Sequence, residues 1–253
     1  MAVKVGLLHP GAMGAAVGAL LTARGHEVLW LPAGRSEATA ERARAARLTA
    51  AGDFDGAELV LSICPPHAAF EVARSLAGTS ALVLDANAVS PATARAIGAT
   101  FDGRWIDGGI VGPPPRHAGS TRLFLAGEQA QRAVELFAGT ALETIVLDGS
   151  PVAASALKMT YAAWSKGTAA MLLAIRATAR AAGVEDELVA EWERSQPDLP
   201  QRYENALRAA STKGWRWVGE MEEIAATFAE HGLPPGFHEA AAAVFRDSPR
   251  PPS

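Results

Sequence analysis

Val3-Lys4-Val5-Gly6-Leu7-Leu8, followed by His9-Pro10-Gly11-Ala12-Met13-Gly14, opens the chain and decides its fold. The first six residues are an apolar run with strand character. A helical pattern then extends through Ala23 and is closed by Gly25. A strand, a glycine turn and a helix start leave several backbone N–H groups unpaired at one point, and the helix dipole adds partial positive charge there. His9, Pro10, Gly11, Ala12 and Met13 thus form a candidate cradle for the pyrophosphate of a dinucleotide. The full Gly-x-Gly-x-x-Gly pattern would place glycine where His9 stands, so the first tight turn has to be made differently. An ordinary strand-to-helix turn, with glycine for close packing, is the competing reading.

Outward from this stretch, strands and helices alternate. Strands are expected at Val3–Leu8, Glu27–Leu31, Leu59–Ser62, Ala81–Asp85, Arg104–Asp107, Thr121–Ala126 and Glu143–Val146. Helices are expected at Gly11–Ala23, Glu37–Arg47, Ala68–Leu76, Pro91–Ile97 and Gln129–Phe137. This order predicts an α/β fold with a doubly wound, mainly parallel Rossmann-type sheet over residues 1–150. Gly149-Ser150-Pro151 breaks the pattern, and an all-α domain is expected over 151–253. Its first helix spans Pro151 to about Ala182, with Pro151 at the start, Gly183 at the end and Gly167 as the weak point. Further helices are expected at Glu185–Ser195, Leu199–Thr212, Glu220–Glu230 and Gly236–Phe245, and the segment from Ser248 to Ser253 as a frayed tail. An uninterrupted helix from Pro151 would be roughly 48 Å long at about 1.5 Å per residue. It is apolar or small on nearly every side, more than one chain of this size can cover, and a homodimer is expected.

Bulk properties narrow the function. The 253 residues are 49% apolar, enough for a substantial core, and the net charge of −4 argues against general nucleic-acid binding. The single cysteine, Cys64, excludes an intramolecular disulfide and fits a reducing compartment. A strand begins almost at the N-terminus, so no signal peptide is expected. Lys158 and Lys166 interrupt the longest apolar tract, Val152–Ile175, which argues against a membrane span. A cytoplasmic protein is the resulting expectation. Cys64 and His67 are too few for a zinc site, and no metal is expected.

The stretch after the second strand selects the cofactor. An NAD site usually has Asp or Glu about 20 residues beyond the glycine turn. Here the residues are Leu31-Pro32-Ala33-Gly34-Arg35-Ser36, with no acid before Glu37. Arg35 can pair with a 2′-phosphate and Ser36 can donate to it, which favours NADP(H); a solvated Arg35 is the alternative. Arg42, Arg44 and Arg47 read as a solvated helix face. Lys158 and Lys166 are the only charges between Asp148 and Arg176. A free lysine has a pKa of about 10.4, and both desolvation and a nearby nicotinamide cation would lower it. Lys158 is then a candidate proton donor or acceptor for hydride transfer at a carbonyl carbon; a lysine snorkelling to solvent is the alternative.

Several segments together resemble the β-hydroxyacid dehydrogenase and 6-phosphogluconate dehydrogenase-like superfamily, which also contains imine reductases. They are Gly11-Ala12-Met13-Gly14, Ser62-Ile63-Cys64-Pro65-Pro66, Asp85-Ala86-Asn87-Ala88-Val89-Ser90-Pro91, Asp107-Gly108-Gly109-Ile110-Val111-Gly112 and Lys158, in the family's order. Lys213-Gly214-Trp215-Arg216-Trp217 and Gly219-Glu220-Met221-Glu222-Glu223-Ile224 resemble a poorly characterised helical C-terminal domain of one branch. The resemblance implies a Rossmann domain, a helical dimerisation domain and a substrate cleft between them. Lys158 would be the general acid/base. Cys64 and Pro65 would border the cofactor, Asn87 would approach the nicotinamide ribose, and Gly109, Val111 and Gly112 would face substrate. Val111 stands where the family commonly has serine, and Tyr161 and Ala162 stand where it commonly has asparagine. Tyr161, at i+3 from Lys158, shares its helix side and could touch substrate or simply pack. His238 could enter the substrate cleft from the C-terminal domain or from a partner subunit, or be a structural or exposed histidine.

The leading expectation is NADP-dependent hydride transfer at a hydroxyl or carbonyl of a small polar metabolite of the 3-hydroxy acid type. The alternatives are imine reduction, which needs less help from a carboxylate pocket, and NADP(H) binding without turnover.

Overall fold

In the computed structural model, residues 2–248 are described; the expected fraying of 249–253 lies outside them. The chain separates into two compact units, Met1–Lys158 and Met159–Ser253. The first contains β1 (Lys4–Leu7), α1 (Ala12–Ala23), β2 (Glu27–Trp30), α2 (Glu37–Ala45), β3 (Thr49–Ala50), β4 (Leu59–Ser62), α3 (Pro66–Ser75), β5 (Leu82–Asp85), α4 (Pro91–Gly98), β6 (Trp105–Val111), β7 (Thr121–Ala126), α5 (Ala130–Phe137) and β8 (Leu142–Val146).

The strands form one sheet in the order β3-β2-β1-β4-β5-β6-β7-β8, parallel throughout except where β6 meets β7. Val5, Leu7, Val60, Leu61, Val83, Leu84 and Ile106 are buried. They form near-continuous apolar runs, as a parallel sheet covered on both faces requires. Sequence order reverses between β1 and β4. In a doubly wound sheet the loops beyond the C-terminal ends of those two strands flank a crevice suited to ligand binding. The register pairs Leu7 with Leu61, Ser62 with Asp85, and Asp85 with Asp107. The loops after β1, β4 and β5 therefore leave one edge of the sheet.

Most element bounds fall within two residues of expectation, with two differences that bear on the site. The strand expected to stop at Asp107 continues to Val111, pairing antiparallel with β7 through Gly109 with Phe124 and Val111 with Arg122. The two glycines hide this strand because they weaken strand propensity. Gly109 is tolerated because backbone comes close: a Cβ there would sit 2.6 Å from the Ala154 carbonyl oxygen. The two-residue β3 carries too little pattern to be read from sequence.

A single 29-residue helix, α6 (Ala153–Ala181), begins in the first unit and continues into the second. The second unit adds α7 (Glu185–Ser195), α8 (Leu199–Glu230) and α9 (Gly236–Arg246). Two helices were expected where α8 runs unbroken. Gly214 lies in the gap expected between them and serves close approach: a Cβ there would lie 2.4 Å from the Ser248 hydroxyl. Gly167 likewise does not interrupt α6, and the His238 ring lies against it. Among the described residues no helix is long and apolar enough to cross a membrane.

Candidate functional site

The glycine turn follows β1. The Gly11 N–H donates to the His9 carbonyl at 2.8 Å, so His9 and Gly11 close a three-residue turn with Pro10 at its apex. This contact replaces the missing first glycine. Gly14 is required: a Cβ there would lie 2.1 Å from the His9 carbonyl oxygen. Gly11 is the N-cap of α1, has no side-chain cap, and opens onto free space where its Cβ would be. No acid stands in the first turn of α1. The first N–H groups of a helix have no carbonyl of an earlier turn to pair with, and the open space and lack of an acid in the first turn of α1 suit a phosphate there. Burial and the neighbouring Arg35 guanidinium push the His9 imidazole down to about 4, so it is neutral at physiological pH.

Two arginines reach this turn. Arg35 donates to the Leu8 carbonyl at 3.3 Å, and its buried Nε has no hydrogen-bond partner. Arg42 donates through Nε to the Pro10 carbonyl at 3.2 Å and through Nη2 to the Thr39 hydroxyl at 2.9 Å. The solvated-face reading of Arg42 is therefore corrected: α2 carries it back over the glycine turn, whereas Arg44 is exposed and pairs with Glu37. Ser36 caps α2, accepting from Thr39 N, and lies 3.1 Å from the Thr39 hydroxyl. Arg35, Ser36, Thr39 and Arg42 form one polar, cationic group at the end of β2. Thr39 and Arg42 do not stand out in the sequence because neither lies in the β2–α2 turn.

After β4 and β5, Asn87 ties two loops together. Its side-chain oxygen accepts from the Cys64 N–H at 2.6 Å, and its Nδ2 donates to the Ser62 hydroxyl at 3.0 Å. Cys64, Pro65 and Asn87 are thus held at the ends of adjacent strands. Burial pushes the Cys64 thiol up to about 12, so it is not a nucleophile at neutral pH. Asp85 is buried, with one carboxylate oxygen accepting from Asn87 N and the other unpartnered. Burial pushes its carboxyl up to about 7, with Asp107 adding like-charge repulsion.

β6 meets the first turn of α6. Asp107 accepts from the Ser155 N–H at 2.8 Å and from the Ser155 hydroxyl at 2.5 Å. One turn on, the Lys158 ammonium donates to the Ile110 carbonyl at 2.7 Å and is half-buried. Gly109 faces the helix, a Cβ there lying 3.1 Å from the Lys158 Cβ. Val111 is buried within β6. Gly112 turns the chain out of the strand with φ +125°.

The remaining candidates lie in the second unit. Tyr161 is half exposed on α6. His238 is buried against Gly167 and the Phe228 ring, its centroid 4.4 Å from that ring and its Nδ1 unpartnered. Desolvation by burial lowers its pKa below the ordinary histidine value. It borders a cavity of about 400 Å³ that Trp164, Met171, Phe237 and Val244 also line. Lys166 pairs with Glu220, and both side chains are largely buried. Among the described residues no group of three or more His, Cys, Asp or Glu is placed to hold a metal ion.

Residues 179–248 match the family described as Domain of unknown function (DUF1932). No curated protein matches the sequence. Among solved structures, the chain is 25% identical to the conserved protein MTH1747, a protein of unknown function structurally similar to 3-hydroxyacid dehydrogenases, with a TM-score of 0.70 over 96% of this chain and 95% of that one. It is 17% identical to a 3-hydroxyisobutyrate dehydrogenase of Mycobacterium tuberculosis solved with L-serine, with a TM-score of 0.68 over 97% and 93%. A reductive aminase of Aspergillus terreus, solved with NADPH and ethyl levulinate, is 17% identical with a TM-score of 0.59 over 97% and 93%. The fold is that of the hydroxyacid dehydrogenase-like proteins, as the resemblance implied.

The Asp85 environment makes a pH prediction. Its carboxyl is held at about 7 in the folded protein, against about 3.9 in an unfolded chain. The folded state therefore binds the proton more tightly, and the stabilisation this provides is lost as pH rises through 7. Asp85→Asn keeps an oxygen for the Asn87 N–H and removes the buried charge. Its Tm should exceed that of the wild type by several degrees at pH 8.5, with the gap shrinking steadily between pH 7 and pH 4 by differential scanning calorimetry. A gap independent of pH would rule out titration of Asp85 as the cause.

Proposed function

We propose that this chain is an NADP(H)-dependent oxidoreductase that moves hydride at a hydroxyl or carbonyl of a small polar metabolite of the 3-hydroxy acid type, with Lys158 as general acid/base. The observation that carries this reading is the Lys158 ammonium, half-buried and fixed on the Ile110 carbonyl of β6, in the sheet whose β1 end bears an uncapped, acid-free glycine turn. A nicotinamide cofactor, when bound, supplies or accepts the hydride. The turn from His9 to Met13 would hold its pyrophosphate, and Arg35, Ser36, Thr39 and Arg42 its 2′-phosphate. Cys64, Pro65 and Asn87 would border the nicotinamide half. In reduction Lys158 donates a proton to the carbonyl oxygen, and in oxidation its neutral amine takes that proton from the hydroxyl. Gly109, by leaving room for α6, sets how close the lysine comes to β6. Val111 and Gly112 would face substrate.

Imine reduction is the second reading. The observation favouring it is Val111, an apolar side chain in the segment that would otherwise offer a donor to a carboxylate. The resemblance to a reductive aminase supports it at the level of fold. We also propose that two chains pair through α6. Tyr161, Trp164, Met171 and Ile175 are 50%, 68%, 48% and 39% exposed and fall on one side of a 3.6-residue helix. A second copy of the same stripe is the simplest cover.

Three outcomes follow. Arg35→Ala and Arg42→Ala should each weaken NADPH binding about tenfold or more by fluorescence titration while leaving NADH affinity within about twofold, since each removes a charge-assisted phosphate contact; equal losses for the two cofactors would refute the 2′-phosphate assignment. NADPH oxidation assayed against keto acids, aldehydes and cyclic imines should give turnover that Lys158→Ala lowers at least 100-fold in kcat. Turnover of imines alone selects the second reading. Tight NADPH binding with no turnover on any panel member would instead favour a binding protein. Light scattering at micromolar concentration should return twice the chain mass, and a strictly monomeric mass would remove the dimer.

A further inference from the structure

The first N–H groups of α6 need partners, because a helix start has no preceding carbonyls to supply them. The Ala153 N–H donates to the Ser150 carbonyl at 3.0 Å and the Ala156 N–H to the Val152 carbonyl at 3.1 Å. Between them, the Ser155 N–H goes to Asp107, and the Ala154 N–H also favours the charged carboxyl. The cap of this helix is therefore a carboxylate supplied by a strand residue 48 positions earlier. The Ser155 hydroxyl closes on the other carboxylate oxygen at 2.5 Å, so the carboxylate is gripped at both ends and its plane is fixed.

That grip has a consequence one turn later. Lys158 stands at i+3 from Ser155 and i+4 from Ala154, on the same side of the helix. Its ammonium reaches the Ile110 carbonyl, which belongs to the same strand as Asp107. Two residues of β6 thus hold two successive points of α6, one by a carboxylate and one by a carbonyl. Gly109 lies between them, with no side chain to push the helix away. Rotation of α6 about its axis would break both contacts together.

We infer that Asp107, closed by Ser155, is the positioning residue for Lys158: it sets the rotation of the first turn of α6 and so delivers the ammonium to the Ile110 carbonyl. The functional weight of this placement rests on the proposed role of Lys158, but the placement itself can be read without turnover. Asp107 has no contact with substrate or cofactor in this scheme, and it acts through the lysine.

The test is the rate at which Lys158 is modified by acetic anhydride at fixed pH, measured by peptide mass spectrometry with the exposed Lys213 as internal reference. In Asp107→Asn the loss of one acceptor and of the charge should raise the Lys158 rate at least threefold relative to Lys213. Ser155→Ala, a milder change that leaves the carboxylate in place, should raise it in the same direction. Ser155→Thr, which keeps the hydroxyl, should return it to within twofold of the wild type. With a substrate in hand, Asp107→Asn should lower kcat at least tenfold and leave the NADPH KM within twofold. An unchanged Lys158 rate in Ser155→Ala and in folded Asp107→Asn overturns the inference, as does a Ser155→Thr variant that behaves like Ser155→Ala. If the labelling changes as expected while Lys158→Ala retains full turnover, the positioning stands and the catalytic reading of the lysine fails.

Discussion

Backbone contact between β6 and α6 is the constraint on which the site depends. The Ala154 carbonyl lies where a side chain of residue 109 would be, so the strand and the helix touch with only glycine between them. A β-branched residue at 109 would favour the strand locally, yet it would force α6 outward and take the Lys158 ammonium off the Ile110 carbonyl. Local propensity gives way to tertiary geometry here. The strand is held instead by its antiparallel pairing with β7 and by the polar grip that Asp107 exerts on the first turn of the helix.

Electrostatics along the strand ends divides into two parts. Around the glycine turn, an uncapped helix start, two arginines and a neutral His9 leave positive potential with no acid in the first turn of α1. This suits a multiply charged phosphate. Beyond β5 and β6, Asp85 and Asp107 are buried carboxyls with raised pKa values, Asp85 up to about 7 and Asp107 up to about 6. Burial dominates both shifts, but Ser155 and Ala154 supply Asp107 with hydrogen bonds that favour its charged form, whereas one oxygen of Asp85 has none. The better-partnered carboxyl is the one that caps α6, where the helix dipole also favours negative charge.

Much of this was legible in the sequence where the signal is local. The β1–turn–α1 stretch and the alternation of apolar strands with helices each depend on residues a few positions apart. The rest depended on distant partners. Gly214 falls in the gap between two expected helices until Ser248 is found against it. Gly108 and Gly109 suggest a loop until β7 pairs with them. Arg42 belongs to a solvated helix face by composition, and only the fold brings it to Pro10, 32 residues away. Asp107 stood in a recognisable segment, but nothing near it in the chain indicates that it would cap a helix.

The most direct test is a crystal structure of the protein with NADP⁺ bound. The pyrophosphate should lie on the N–H groups of the His9–Met13 turn, the 2′-phosphate between Arg35 and Arg42, and the Lys158 ammonium on the side of nicotinamide C4, about 3 Å from where a substrate oxygen would sit. A lysine pointing into bulk solvent, remote from the nicotinamide ring, would contradict it.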